Sequence, residues 1–333
     1  MSAVPLLETV GLTKFFAGGR SLLGREAKTV RALDGVSLTI QEQETVGVVG
    51  ESGCGKTTLG RAILGLIRPT SGRVLFEGTD LVPLSRREMR GYRRNMQMVF
   101  QSPYDSFDPR FSVLNSVGEP LRTHSSLRGN ALVARARELL EQTGMPGEIL
   151  YRYPHEFSGG QLQRIAVARA LALNPKFIVL DEPTSALDVS VQAQIINLLQ
   201  TLQRELTLTY MFITHDLSVV QHISDRIAVM YLGMVVELNT TDAIFEDARH
   251  PYTQALLASA PSLDLEYRRE RIILTGGVPD PADPPPGCSY HPRCPQVMDI
   301  CSREEPEIVD AGGGHMVACH LVGGSRSAPR GGT

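Results

Sequence analysis

The nine residues from Gly50 to Thr58, GESGCGKTT, constrain this chain more than any other stretch of its sequence. They match the pattern G-x-x-x-x-G-K-[ST], whose glycines let successive backbone N–H groups curl around phosphate oxygens. A helix that begins near Gly55 directs its positive end at the same anion. Lys56 has the reach for the β- and γ-phosphates, and the Thr57 hydroxyl suits Mg²⁺. We therefore predict that a nucleoside triphosphate binds to this P-loop at Gly50, Ser52, Gly53, Cys54, Gly55, Lys56, Thr57 and Thr58.

The flanks of the P-loop supply the structural context that the pattern requires. Thr45–Val49 is typical of a short buried strand, and Leu59–Leu64 is typical of the start of an amphipathic helix. A chance glycine-rich turn is the alternative explanation, but such a turn does not need a strand before it and a helix after it. The sequence therefore predicts a strand, a phosphate loop and a helix in succession.

Composition excludes several classes of protein. The chain has 333 residues and a net charge of −3, so nothing indicates general nucleic-acid binding. Met1–Thr9 lacks the basic start and apolar core of an export signal, and no run of about 18 apolar residues is present to span a membrane. We expect any membrane association to run through a partner. Five cysteines in such a chain are expected to be thiols or metal ligands rather than disulfides.

Two adjacent carboxylates follow the apolar run Phe177–Leu180. Asp181 at a strand end is suited to hold Mg²⁺, directly or through water, and Glu182 is suited to accept a proton from an attacking water. Two acids that merely stabilise the fold are the alternative, but acidic residues are a poor choice at the end of a buried strand. The pair is therefore predicted to be catalytic.

Single polar residues end two further apolar strands, and each has an ordinary structural explanation beside the functional one. Gln101 follows Met96–Phe100 and is a candidate ligand to Mg²⁺ or water. His215 follows Tyr210–Thr214 and is a candidate donor to a γ-phosphate, although a lone histidine is usually structural. Their placement parallels that of Asp181.

Two more features favour nucleotide contacts but have simple alternatives. Ser158, Gly159 and Gly160 precede the helix predicted over Leu162–Leu173, and together form a second anion cradle or a plain N-cap. Phe16 lies in the first predicted strand region, where an exposed ring suits stacking on adenine. The alternative is that Phe16 packs beneath a sheet.

Taken in order, these motifs resemble those of the ATP-binding-cassette ATPases, over about residues 5–260. The set comprises the P-loop at 50–57, Gln101, FSGGQ at 157–161, IVLDE at 178–182, SALD at 185–188 and His215. Finer segments are similar to those of the ATPase subunits of bacterial dipeptide/oligopeptide importers: FQSPY at 100–104, YPHEF at 153–157 and HPYTQALL at 250–257. The glycine-rich insertion after Phe16 suits the second ATPase type of that family. Phe157 stands where most cassettes have leucine, and both residues are apolar.

The resemblance implies an α/β P-loop NTPase fold. It would have a RecA-like core that carries Lys56, Asp181 and His215, an antiparallel β subdomain, and a helical subdomain at about 102–172. A small cysteine-rich C-terminal extension would occupy 261–325. The implied cofactors are ATP and Mg²⁺. The resemblance assigns nucleotide contacts to Phe16, Ser158, Gly159, Gly160, Gln161, Asp181 and Asp188. It assigns Mg²⁺ ligation to Thr57, Gln101 and Asp181. It assigns catalysis to Gln101, Glu182 and His215.

The resemblance also implies partners. Two cassettes would dimerise head to tail, each signature Ser158–Gln161 closing over the other's ATP. The second cassette would be a paralogous ATPase subunit, with a homodimer left open. Two permease subunits would link the pair to an extracytoplasmic substrate-binding protein, which places this chain at the cytoplasmic face of the inner membrane. Import of nickel or another solute, a cytosolic cassette ATPase without transport, and an inactive regulatory cassette are the alternatives.

The tail contains the spacing Cys288-x5-Cys294-x6-Cys301-x17-Cys319, without the C-x-x-C pairs of a zinc ribbon. Four thiols in an apparently core-poor segment indicate a metal that replaces a hydrophobic core. The importer resemblance favours a [4Fe–4S] cluster, with Zn²⁺ or unliganded thiols as alternatives. We predict that the P-loop lies in a lobe with its own core, separate from the tail. ATP binding at Lys56 is therefore expected to survive loss of the metal.

Overall fold

The structure, a computed structural model, describes residues 4–17, 28–259, 277 and 279–323. The glycine-rich insertion after Phe16 and most of residues 260–278 lie outside the described residues. The strands are β1 Leu7–Phe16, β2 Val30–Ile40, β3 Thr45–Val49, β4 Ser71–Phe76, β5 Thr79–Asp80, β6 Met96–Val99, β7 Phe177–Asp181, β8 Thr209–Thr214, β9 Arg226–Tyr231, β10 Met234–Thr240, β11 Val309–Asp310 and β12 Met316–Val317. The α-helices are α1 Lys56–Ile63, α2 Arg86–Tyr92, α3 Val113–His124, α4 Gly129–Gln142, α5 Gly159–Leu171, α6 Val189–Leu206, α7 Leu217–Ile223, α8 Thr241–Glu246, α9 Pro251–Ser259 and α10 His320–Gly323.

The chain divides into two compact units. The helical unit comprises the described residues up to Leu7, Ile40–Thr45 and Phe76–Thr214. The P-loop unit comprises the described residues of Glu8–Thr39, Val46–Leu75 and those from His215 onward. The cysteine-bearing residues of the tail therefore belong to the same compact unit as the P-loop.

The P-loop unit is built on a run of hydrogen-bonded strands in the order β11-β12-β10-β9-β3. β3 runs parallel to β9, and the pairs β9–β10, β10–β12 and β11–β12 are antiparallel. Every residue of β3 is buried, as the valine-rich run predicts for a central strand. The tail thus contributes two strands to this sheet.

A second sheet of the P-loop unit joins three strands in the order β2-β1-β4. Gly72 permits the close approach of β4 to β1. Its φ is +89°, and a Cβ at this position would lie 2.4 Å from the Gly11 carbonyl oxygen. No larger residue fits there.

The helical unit contains three parallel strands in the order β8-β7-β6. All residues of β7 and β8 are buried, which matches the apolar runs in the sequence. Helices α3, α4 and α5 pack against one another. The apolar face of α4 is the one predicted from its spacing, since Leu132, Ala136, Leu139 and Leu140 are all buried.

Two sequence expectations are wrong in detail. The helix predicted from Leu162 begins at Gly159, because Ser158 supplies the cap and the glycines form the first turn. The tail is not core-poor. Tyr290 and Val317 are 2% and 0% exposed, and Tyr290 belongs to one hydrophobic cluster with Val49 of β3.

Among the described residues, no helix is both long enough and apolar enough to cross a membrane.

Candidate functional site

The P-loop follows β3 directly, and its glycines are required by close packing. Gly50 has a φ of +152°, and a Cβ there would lie 2.2 Å from the Met230 carbonyl oxygen. Gly55 has a φ of +107°, and its Cβ would lie 2.3 Å from the Ala32 carbonyl oxygen. Only glycine therefore fits at these two positions, where the loop packs closely against neighbouring backbone.

Lys56 and Thr57 open α1, where the first-turn N–H groups face an incoming anion. Lys56 is 5% exposed, and its Nζ donates to the Gly50 carbonyl at 2.7 Å and the Glu51 carbonyl at 3.0 Å. Nζ also lies 3.9 Å from Cys54 Sγ, whose pKa is raised by burial. The ammonium is thus folded onto the loop, and Thr57 is half-buried beside it.

Two further predicted residues of the P-loop unit, Phe16 and His215, are exposed. Phe16 ends β1 with 41% of its surface exposed, and Lys14 Nζ lies 4.9 Å from its ring centroid. His215 is exposed and precedes Asp216, the N-cap of α7. The exposure of the Phe16 ring argues against its packing beneath the sheet and leaves it accessible for stacking.

The helical unit brings Gln101 and Glu182 together. Gln101 Nε2 donates to Glu182 Oε2 at 2.8 Å. Asp181, the last residue of β7, is 1% exposed. Glu182 has a φ of +45°, and its N–H donates to the Ile213 carbonyl at 2.9 Å. A positive φ at glutamate is unfavourable and is held here by the neighbouring strand.

The signature Ser158–Gln161 forms the start of α5. Gln161 N–H donates to Ser158 Oγ at 3.4 Å, and Ser158 N–H donates to Gln161 Oε1 at 3.0 Å, which completes a capping box. A Cβ on Gly160 would lie 2.4 Å from Val191 Cγ1. The N-cap explanation is therefore correct for this chain by itself, and it leaves Ser158 exposed at a helix N-terminus. Asp188, also exposed, is the N-cap residue of α6.

The four tail cysteines line one small cavity, together with His291 and His320 among others. Burial raises the pKa of Cys288 to about 11, and the three other tail thiols near it add to the rise. Burial also raises the pKa of Cys294 and Cys319. Within the described part of the chain, no three His, Cys, Asp or Glu side chains are grouped as ligands of a single metal ion. The four thiols share the lining of this cavity.

Two contacts of the P-loop, both made by Glu51, are not predicted from the sequence. Tyr252, in α9, accepts the N–H of Glu51 on its hydroxyl at 2.9 Å. The Glu51 side chain is held by Arg293 of the tail. Tyr252 lies in the HPYTQALL segment that carries the importer resemblance, but no pattern in the sequence links it to residue 51.

Comparison with known families finds two matches. Residues 33–185 match the ABC transporter family, and residues 236–301 match the C-terminal region of oligopeptide/dipeptide transporters. The first match contains the P-loop, and the second contains three of the tail cysteines: Cys288, Cys294 and Cys301.

Several curated proteins are similar over nearly the whole chain. The oligopeptide transport ATP-binding protein AppF of Bacillus subtilis is 49% identical over 95% of this chain and 97% of its own length. The putative oligopeptide transport ATP-binding protein YkfD of the same organism is 50% identical over 96% and 97%. The probable peptide ABC transporter ATP-binding protein y4tS of Sinorhizobium fredii is 50% identical over 95% and 90%.

Solved structures share the fold. The ATP-binding cassette MJ0796, determined as a dimer in a post-hydrolysis state bound to ADP and Pi, aligns with a TM-score of 0.63 and 32% identity. The alignment covers 71% of this chain and 98% of that cassette. The fold is therefore that of a P-loop NTPase cassette, as predicted.

Proposed function

This chain belongs to the ABC transporter family and is one of its ATPases, and we propose that it powers the import of peptides through a separate membrane permease. The observation that carries the substrate class is the match of residues 236–301 to the oligopeptide/dipeptide transporter C-terminal region. Relatives named for oligopeptide transport that align over 95% or more of the chain support it.

The residues proposed for the nucleotide site are those that the resemblance to the ATP-binding-cassette ATPases assigns. Lys56 and the P-loop amides would bind the phosphates of ATP, and Phe16 would stack on adenine. Thr57, Asp181 and Gln101 would hold Mg²⁺, and Glu182 would accept a proton from the attacking water. His215 would donate to the γ-phosphate. The 2.8 Å hydrogen bond between Gln101 and Glu182 supports a shared role for those two side chains.

The proposed active form is a dimer of cassettes. Ser158–Gln161 would meet the γ-phosphate of ATP bound by the other subunit, and Asp188 would lie at the same interface. The exposed N-terminus of α5 supports this, because the positive end of a helix attracts phosphate. We propose that the other subunit is a paralogous ATPase. Two permease subunits and an extracytoplasmic substrate-binding protein would complete the importer at the cytoplasmic face of the membrane.

The cysteine cavity is proposed to hold a [4Fe–4S] cluster through Cys288, Cys294, Cys301 and Cys319. Four thiols around one cavity are the number of ligands that a cubane takes. When bound, the cluster would cross-link the tail, and the four chain thiolates would anchor it.

Reconstitution tests the transport function. The chain is assembled with its permease, partner ATPase and substrate-binding protein in liposomes, and phosphate release is measured with peptides of two to six residues. We expect peptide to stimulate release, and uptake to stop with Lys56→Ala. Stimulation by nickel but not by any peptide would assign the importer to another solute. ATP turnover without a response to either would contradict the importer assignment.

Metal analysis tests the cluster. Anaerobically purified protein is expected to be brown and to contain about four irons per chain, the stoichiometry of a cubane. Cys301→Ser should lower the iron content, whereas Cys54→Ser in the P-loop should not. One zinc per chain, or no metal, would contradict the proposal.

A further inference from the structure

A buried arginine joins the cysteine-rich tail to the P-loop. Arg293 ends the 3₁₀ turn His291–Arg293 and directly precedes Cys294, and its side chain is only 4% exposed. Nη1 donates to Glu51 Oε2 at 2.7 Å, and Nη2 donates to Glu51 Oε1 at 3.0 Å. Two parallel hydrogen bonds of this kind fix the orientation as well as the position of a carboxylate.

Aromatic side chains hold the guanidinium in place. The ring centroids of Tyr231 and Tyr290 lie 5.9 Å and 6.0 Å from the Arg293 guanidinium carbon, and Tyr231 Oη accepts from Nη1 at 3.4 Å. These rings belong to the core cluster that includes Val49 of β3. The arginine is therefore fixed by the same core that supports the strand leading into the P-loop.

Glu51 in turn is fixed to the phosphate-binding residues through its backbone. Its N–H donates to Tyr252 Oη at 2.9 Å, and its carbonyl accepts from Lys56 Nζ at 3.0 Å. A displacement of the Glu51 side chain is therefore expected to shift the backbone of the loop and the Lys56 ammonium, which is expected to bind phosphate.

We propose that Arg293 is a positioning residue for the P-loop, and that ATP affinity therefore depends on the integrity of the cysteine-rich tail. This inference rests on the proposed nucleotide site. Arg293 does two things at once: it holds Glu51 in the loop conformation that binds phosphate, and it neutralises a carboxylate that would otherwise repel the phosphates. Its position next to Cys294 passes any rearrangement of the cysteine cavity to Glu51.

If Arg293 neutralises Glu51, its loss should weaken binding in proportion to the charge of the ligand, which a merely structural role would not do. With Arg293 replaced, the Glu51 carboxylate stays in the P-loop without its partner, and its repulsion grows with the charge of the ligand. ATP should lose more affinity than ADP, and adenosine should lose almost none. Removing the carboxylate as well should return part of the lost affinity.

The experiment measures the dissociation constants of fluorescent ATP and ADP analogues, and of adenosine by calorimetry, for purified full-length protein. Arg293→Met is expected to weaken ATP roughly tenfold, ADP less, and adenosine by less than a factor of two. Arg293→Lys, which keeps the charge, should lie nearer to wild type. Glu51→Gln/Arg293→Met should bind ATP more tightly than Arg293→Met. Cys294→Ser should reproduce the phosphate-dependent loss, and Arg303→Met, an exposed arginine of the same tail, should not.

Two results would overturn the inference. One is wild-type ATP affinity in Arg293→Met. The other is an equal loss for ATP, ADP and adenosine that Glu51→Gln does not relieve, because this would mean that the arginine only stabilises the fold. If Arg293→Met does not fold, Arg293→Gln, which also lacks the positive charge, is judged by the same comparison of ATP, ADP and adenosine. Failure of the nucleotide site itself is distinguishable, since wild-type protein would then bind ATP no more tightly than Lys56→Ala.

Discussion

At the scale of single residues, Glu182 has an unusual environment for a carboxylate. It adopts a positive φ of 45°, its N–H is tied to Ile213, and its side chain accepts a hydrogen bond from Gln101. Backbone strain of this kind costs about 1–3 kcal/mol and persists only where surrounding contacts enforce it. The strain is explained if the carboxylate must be held at one position for proton transfer.

Replacement of Glu182 by glutamine should separate binding from hydrolysis. The amide keeps the size and the hydrogen bond to Gln101 but cannot accept a proton, so turnover of the assembled ATPase should fall by about 10²–10⁴ while ATP still binds. Steady-state phosphate release and nucleotide binding are measured on the same preparation. Glu205→Gln, on the exposed end of α6, serves as control. Turnover within a few-fold of wild type in Glu182→Gln would remove this residue from the role of base.

The sequence alone indicates candidate site residues but not their neighbours. The P-loop, the acidic pair and Gln101 are candidates because spacing and strand ends carry chemical information. The Glu51–Arg293 pair joins positions 242 residues apart. Glu51 occupies an unspecified position of the P-loop pattern, and Arg293 belongs to no local pattern. Only the fold brings them together.

At the scale of elements, helix α5 carries the residues that are proposed to bind ATP held by another subunit. Its first turn is the glycine-rich signature, and its cap is Ser158. Loss of an N-cap hydroxyl typically costs about 1 kcal/mol, so Ser158→Ala should leave the unit folded but slightly less stable.

Ser158→Arg should act differently, because its bulky side chain fills the space where a second subunit's γ-phosphate is proposed to bind. We expect ATP-driven dimerisation to be abolished, with nucleotide affinity of the isolated subunit nearly unchanged. Size-exclusion chromatography with and without ATP, in a Glu182→Gln background that slows hydrolysis, measures the first quantity. Ser158→Ala controls for loss of the cap. An equal loss of ATP binding by the isolated subunit would place Ser158 in its own chain's pocket.

Strand β10 shows an element whose role the sequence did not reveal. Its register against β9 shifts between Val235 and Glu237, and the bulge accompanies four consecutive buried residues. Glu237, fully buried, accepts hydrogen bonds from the Arg249 and His250 N–H groups and pairs with His315 at 2.7 Å. A buried glutamate in a strand has no sequence signature, because its partners come from two distant segments.

At the scale of the whole molecule, the expectation of a separately cored tail is wrong. Tyr290 of the tail packs against Tyr231 and Tyr252, with ring centroids 5.3 Å from each, and these rings continue to Val49 before the P-loop. The sequence suggested few core residues because the tail's apolar side chains are sparse and lie between prolines and glycines. Their burial depends on a surface provided by the preceding domain.

His250 should make the stability of the molecule depend on pH. It is 1% exposed, and burial lowers its pKa to about 4, below the unfolded value of 6.5. The unfolded chain therefore binds a proton that the folded chain does not, and stability is lost as the pH falls from 6.5 towards 4. This group alone should make unfolding about 2 kcal/mol easier at pH 5 than at pH 8.

Chemical denaturation at both pH values measures this difference. In His250→Gln the contribution should vanish, although the protein is less stable at both pH values, whereas His222→Gln on the exposed face of α7 should keep the wild-type dependence. An unchanged difference between pH 5 and pH 8 in His250→Gln would assign the effect to other groups.

The strand pairing of the tail has a consequence for how this protein can be shortened. β12 covers the outer side of β10, and the outermost strand, β11, is only two residues long and ends in an aspartate. Short, acidic outer strands discourage pairing with another molecule. A chain cut before residue 277 would expose the edge of β10 that pairs with β12, at Glu237 and Leu238, to a neighbouring copy. Pairing of the tail with β10 reduces the exposed strand edge. We therefore expect a cassette trimmed to its nucleotide-binding motifs to aggregate more readily than the full chain.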